Sequence, residues 1–147
     1  MLLSAQATVP QSGVLGAVFV VGRILFALIF ILSGIAHLTK SHAMAQYAVA
    51  FKVPQPTLAV VVSGLMSLAG GLSVLLGVAV QAGALLLVAF LVPVAIYMHP
   101  FWGVADPMQA AAQQAHFMKN LSLAGAALLF YYFATVAPDA WMFALMR

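Results

Sequence analysis

Acidic residues are nearly absent. Asp and Glu together number two in 147 residues, and charged residues of both signs make up 5% of the chain. A water-facing domain of ordinary composition carries about five times that fraction. Lipid must therefore solvate most of this surface, in keeping with a hydrophobic content of 66%. Cysteine is missing altogether. That excludes a disulfide framework, a zinc–thiolate site and an iron–sulfur cluster, and it removes the protein's own thiols from any redox chemistry. Five Lys and Arg give a formal charge of +3. This is too sparse for a nucleic-acid footprint, so no nucleic-acid partner is expected, and it suits anionic lipid headgroups better. The first thirteen residues contain no Lys or Arg, so the basic n-region of a secretory signal is absent. They read as a short flexible tail, residues 1–13.

What is present is a set of long apolar runs. The first, from about Val14 to Leu38, is interrupted only by Arg23, Ser33 and His37. A polar stretch follows to Pro56. From Thr57 to Met98 the chain is again almost continuously apolar. One helix of that length would measure roughly 63 Å, about twice a hydrocarbon core of roughly 30 Å. It must fold back once, and Gly77, Gln81 and Gly83 are the breakers near its midpoint. Spans near Thr57–Ala79 and Ala82–Met98 follow. Pro93 lies inside the third span and should kink it at the carbonyl of Ala89. Asp106 followed by Pro107 is a helix start, with an acid at the N-cap and proline at N1. A fourth crossing, Leu121 to Val136, then ends before Pro138. Within the first loop Ser41 could cap a short helix. Met44, Tyr47, Ala48 and Phe51 fall on one apolar stripe of it, as in a helix lying in the membrane interface, and Pro54 stops it. The tail, residues 138–147, has the Trp and Phe of an interfacial anchor. Alternating strands are absent, and lipid tolerates only helices or closed barrels. The expected fold is all-α: an integral membrane four-helix bundle over residues 14–137, with a short interfacial helix in its first loop.

Threading four spans puts His37, His42, His99 and His116 on one side, with Lys40, Lys52, Lys119, Asn120, Trp102 and Asp106. The other side keeps Gln81, Asp139 and Arg147. Two loops on one face and one tight turn on the other would produce such asymmetry unaided, with lysines snorkelling to water. Against that stands the residue type: four His are a large share of so few polar groups. Arg23 reads either as an interfacial side chain or as an inward group for a lipid phosphate, a quinone oxygen or a partner's carboxylate. Ser63, Ser67 and Gly71, four residues apart, let helices approach closely, or else line a cavity. Haem ligation by His37 and His99 is disfavoured because both lie at span ends. No metal site is expected, since Asp106 is the only carboxylate near the histidines. No nucleophile–base–acid set and no glycine-rich phosphate loop is readable. The lysine bias suggests that the His-rich face is cytoplasmic.

GRILFALIFILSGIAHL, the loop ending VPQP, GLMSLAGGLSVLLGV, and HPFW followed by HFMKNLSLAGAALL together resemble the DoxX family of small four-helix membrane proteins, over about residues 20 to 133. Two departures stand out. The family commonly has Lys where this chain has His37, and Glu before the Gly-Gly pair where this chain has Ser67. Arg23, His99, Trp102, Lys119 and Asn120 match the family pattern. The resemblance implies association with membrane oxidoreductase assemblies, since the family is named for a subunit of a thiosulfate- or quinol-oxidising complex. Relatives include assembly factors for other membrane proteins.

The expected function is a small subunit of a membrane oxidoreductase or electron-transfer complex in the bacterial inner membrane. It would bind quinone or lipid near the His-rich face through Arg23, His37, His99, Trp102, Lys119 and Asn120. Quinone is the one cofactor implied. The alternative is a non-catalytic scaffold or assembly subunit. Expected partners are membrane lipids and a larger membrane complex or further copies of the chain. A third reading, a small-molecule carrier, would require an oligomer.

Overall fold

The helix boundaries follow from a few local signals. The computed structural model describes residues 13–138 and Trp141, and among these it has five helices and no strand. They are α1 (Val14–Thr39), α2 (Ser41–Ala50), α3 (Pro56–Leu76), α4 (Val80–Met98) and α5 (Pro107–Val136). Pro56 opens α3 at a position that needs no N–H. Gly77, at φ 73, closes α3 in the left-handed conformation, with its N–H on the Ser73 carbonyl. The hairpin turn is therefore Gly77–Ala79, and Gln81 and Gly83 fall inside α4 instead of breaking the chain. Ser73 Oγ donates to the carbonyl of Val78 at 2.6 Å, which holds this turn. Gln81 Nε2 donates to the carbonyl of Ala134 at 3.0 Å, tying the start of α4 to the end of α5. Pro93 lies within α4, which runs on through it to Met98. Asp106 caps α5 as expected, its carboxylate accepting from the Met108 N–H at 3.0 Å.

α1, α3 and α4 are long and apolar enough to cross a membrane. α5 is longer but divided. Its first half, Pro107–Asn120, carries three Gln, His116, Lys119 and Asn120. The apolar half, Leu121–Val136, would reach about 24 Å, short of a roughly 30 Å core. The expected fourth span therefore does not stand on length and composition as the other three do.

α3 is the central element, with α1, α2 and α4 packed against it and α5 packed on α4. Its Gly-Gly pair explains how one helix serves two large neighbours. Consecutive residues point about 100° apart. A Cβ on Gly71 would meet the Phe30 side chain of α1 at 3.0 Å, and one on Gly70 would meet Leu87 of α4 at 2.6 Å. Farther along, Gly34 and Gly64 bring α1 and α3 together so closely that a Cβ on Gly34 would sit 2.8 Å from the Gly64 carbonyl oxygen. Ser67 shares this seam. It is fully buried, and its Oγ donates across to the carbonyl of Phe30 at 2.9 Å. Phe30, Val74, Leu87, Phe90 and Leu91 fill the interior. Leu25, Leu32, Leu65, Leu85 and Ile96 face outward, as lipid-solvated helices require.

Two local expectations are corrected. Ser41 is the first residue of α2 and not its cap, since Lys40 holds that position without a side-chain bond. The buried face of α2 is Ala45 and Ala48, packed with Val60 of α3, while Tyr47 of the expected stripe stays exposed. Small residues let this short helix lie closer to α3 than the stripe would. The expected N-terminal tail falls outside the described residues except for Gly13, as does most of the expected C-terminal anchor. Of that anchor, Trp141 is buried against Phe19 and Phe130.

Candidate functional site

The C-terminal half of α1, the N-terminal half of α3, the C-terminal half of α4 and the middle of α5 line a half-open cavity of about 500 Å³, with α2 at its edge. That volume suits a small molecule. Most of the wall is apolar, including Phe30, Val60, Met66, Phe90, Pro93 and Leu123. The polar groups that reach it are few: Ser33, His37, Ser63, His99, Lys119 and Asn120, with the two tyrosines Tyr47 and Tyr97.

Each of these groups has a local cause. His37 stands one turn beyond Ser33, and its Nδ1–H donates to the Ser33 carbonyl at 2.8 Å. In the neutral ring this leaves Nε2 as an acceptor. The ring lies edge-on to Phe90, with centroids 6.1 Å apart, and Gly64 makes room for its Cβ. Ser63 turns its hydroxyl back to the Val60 carbonyl at 3.0 Å, within its own helix. The stripe of Ser63, Ser67 and Gly71 therefore serves both expected roles, with packing at Ser67 and Gly71 and cavity lining at Ser63.

Asn120 differs from the others. It is buried on α5, 6% exposed, and its Nδ2 has no hydrogen-bond partner among the described residues. Buried donors are nearly always satisfied, and leaving one bare costs about 1–3 kcal/mol. An unsatisfied amide on a cavity wall is a donor in need of an acceptor.

Beside it lies a cluster at the start of α5. His99, which follows α4, donates Nδ1–H to Gln113 Oε1 at 2.9 Å. Its ring stacks on His116 at 5.1 Å and 27°. The Lys119 ammonium lies 3.4 Å from His116 Nδ1. The His99 pKa is lowered, first because burial penalises the charged ring; the Gln113 bond opposes this, and the charges of His116 and Lys119 add to it.

The cavity thus unites His37, His99, Lys119 and Asn120 of the expected set. It does not include Trp102 or Arg23. Trp102 is 56% exposed and packs edge-on against Phe101 and Phe117, outside the wall. Arg23 sits fourteen positions before His37 on α1, about 21 Å away along the axis. It is 2% exposed and donates Nε to the Val74 carbonyl at 3.0 Å and Nη2 to the Leu75 carbonyl at 2.6 Å. The rings of Phe19 and Trp141 lie 5.6 and 5.3 Å from its guanidinium carbon. Arg23 therefore closes the C-terminal end of α3, where free carbonyls gather negative charge. Three contributors escaped the sequence reading. Tyr47 looked like part of an apolar stripe. Gln113 carries no motif that singles it out from the other two Gln of α5. Tyr97 sits on the outer turn of an apolar span, where periodicity offers no signal.

Comparison with known proteins agrees with this picture in part. The sequence model of the DoxX family matches residues 18–100, which covers α1 to α4 and leaves α5 outside. No curated protein and no solved structure matches the chain.

Proposed function

This chain belongs to the DoxX family, and from that premise we propose that it is a membrane subunit that holds the oxygen-bearing head of a membrane amphiphile, a quinone or a lipid, in the cavity between α1 and α5. The carrying observation is Asn120, which lines this mostly apolar cavity and whose Nδ2 donor is buried with no partner among the described residues. An acceptor oxygen from the ligand would satisfy it. Lys119 would supply a second, charged donor, and His37 Nε2 an acceptor for any hydroxyl. Phe30, Met66 and Phe90 would hold the chain or ring behind the head. The expected fourth crossing belongs to this proposal. Leu121–Val136 would complete a four-helix bundle, with Gln113, His116 and Lys119 at the headgroup level.

The residues fit a quinone, since a ring carbonyl accepts and the orphaned amide donates. A bound quinone would supply two-electron, two-proton carriage. The protein's part would be to position one carbonyl at Asn120 and Lys119 and keep the ring among apolar side chains. Such a site suits a subunit of an oxidoreductase complex in a bacterial inner membrane, with lipids and that complex as partners. Among the described residues no acid lines the cavity, and Ser67, which stands where the resemblance places the family's usual Glu, lies outside its wall and is bonded to Phe30. The reading therefore gives this chain a binding role and leaves electron transfer to its partners.

The test is equilibrium binding of a short-chain ubiquinone and of a single-chain lipid to the purified protein in nanodiscs, alongside Asn120→Leu. Saturable binding of either ligand that weakens by about tenfold in the variant is expected, as for loss of one buried hydrogen bond. Binding that is absent, or indifferent to Asn120, would refute the reading.

A further inference from the structure

The charge of the cavity wall selects among the ligands that the proposed function admits. Every charged side chain that the wall carries is a cation: Lys119 lines it, and no Asp or Glu does. Among the described residues Asp106 is the only acid, and its carboxylate is occupied as the cap of α5. Among the described residues the Lys119 ammonium has one hydrogen-bond neighbour, His116 Nδ1 at 3.4 Å. An imidazole carries no negative charge in any form, so it cancels none of the ammonium's charge. Next to it in sequence, Asn120 offers its unpartnered Nδ2 from a position 94% out of solvent contact. An ammonium and a bare amide donor on one apolar cavity, with no acid to balance them, complement a negative head.

We propose that the cavity is a site for a single-chain amphiphile with an anionic head, a carboxylate or a phosphate, whose oxygens bridge Lys119 and Asn120 while its chain lies against Phe30, Met66 and Phe90. This rests on the amphiphile-binding reading and narrows it. A neutral head, whether an alcohol or a quinone carbonyl, satisfies Asn120 but leaves the ammonium unbalanced. An anion satisfies both, and a charge-assisted bond is about twice as strong as a neutral one. The cavity volume of about 500 Å³ suits one chain. Two sources could supply such a head. One is free fatty acid, the other a lysophospholipid left by removal of one acyl chain.

The experiment measures binding of labelled oleate, oleoyl lysophosphatidate, oleyl alcohol and a short-chain ubiquinone to the full chain in phosphatidylcholine nanodiscs at pH 7.5, with empty discs subtracted. Oleate or the lysophosphatidate should bind about tenfold or more tightly than oleyl alcohol, which has the same chain and no charge. Whichever of the two anions binds more tightly names the source. Lys119→Gln should bring the anions down to within about twofold of the alcohol in the same variant, and Lys119→Arg should restore the difference. Lys119 is exposed, so neither change threatens folding. Alcohol or ubiquinone binding as tight as oleate, or Lys119→Gln without effect on oleate, would overturn the anionic preference and leave the amphiphile reading standing. If none of the four ligands binds, the preference and the reading fall together.

Discussion

Arg23 of α1 donates through Nη2 to the carbonyl of Leu75 at 2.6 Å, and so the one charged residue in the first span ends up as the lock on the last turn of α3. Its second bond, from Nε to Val74, fixes the guanidinium plane. Gly77 must lack a side chain for this to happen, because a Cβ there would strike the Trp141 carbonyl and approach Arg23 Nη2 to 2.7 Å. Arg23→Leu should therefore lower stability by about 1–3 kcal/mol, the cost of stranding buried carbonyls. It should leave amphiphile binding within about twofold, because the cavity is roughly 21 Å away along α1. Thermal unfolding in detergent, paired with the binding assay, checks both. A large loss of binding at unchanged stability would return Arg23 to the ligand site.

The seam between α1 and α3 gives a steric prediction. A methyl on Gly34 would lie 2.8 Å from the Gly64 carbonyl oxygen and from the Leu68 backbone nitrogen, and helical backbone cannot step aside there. Gly34→Ala should push the helices apart and cost about 1–3 kcal/mol. The nearby His37 should shift with α1, so ligand affinity should fall as well. Gly125→Ala on α5, where nothing lies within 4 Å of the added carbon, is the control and should be neutral or slightly stabilising, since alanine is the better helix former. Unfolding midpoints of the two variants, measured side by side, decide the matter.

Much of this fold was legible because lipid and helix chemistry act locally. The apolar runs mark α1, α3 and α4, Gly77 marks the turn, and Asp106–Pro107 marks the start of α5. The candidate site was half legible. His37, His99, Lys119 and Asn120 could be assigned to one side of the membrane from span counting alone, and the cavity collects all four. Arg23 stands apart from these four, because counting places a residue at a depth and says nothing about which helix end it will meet. The C-terminal carbonyls of α3 become its partners only once α1 and α3 are packed, fifty-one residues apart in sequence. Ser67 was ambiguous for the same reason, since its acceptor is the Phe30 backbone on another helix. The unsatisfied state of Asn120 is a property of the assembled wall and leaves no mark in the sequence.

Ser67 itself tests what replaces the family's acid. Its hydroxyl adds a second bond to a carbonyl that already lies within α1, so Ser67→Ala should cost only about 0.5–1.5 kcal/mol. Ser67→Glu should cost more, because a larger, ionisable group would enter a fully buried position beside Phe30. The Glu variant is expected to unfold at a lower temperature than the Ala variant. Equal midpoints for the two variants would contradict this.

The lowered pKa of His99 carries a pH prediction of definite sign. Burial is the main cause, the stacked His116 and the Lys119 ammonium add to it, and Gln113 opposes it. The folded state then prefers the neutral ring, and below pH 6.5 the unfolded chain takes up the proton more readily. His99 should contribute stability above its ordinary value of 6.5 that is lost as the pH falls through the window below it. Thermal midpoints recorded from pH 8 to pH 5 should decline, and His99→Gln should decline less. A His99→Gln curve parallel to that of the parent would assign the acid sensitivity to another group.

Asn120 offers the sharpest contrast between stability and function. Its Nδ2 is buried without a partner among the described residues, a condition that costs about 1–3 kcal/mol in the ligand-free protein. Leucine has nearly the same reach and no polar atom to strand. Asn120→Leu should therefore raise the unfolding midpoint of the empty protein while weakening amphiphile binding. The ligand should stabilise the parent in proportion to its occupancy and the variant much less. A residue kept only for packing would show the opposite pattern, with the substitution lowering the midpoint and sparing the ligand effect. Unfolding curves of both proteins, with and without oleate, separate these cases in one experiment, because a site that binds through Asn120 must be less stable empty than its apolar replacement.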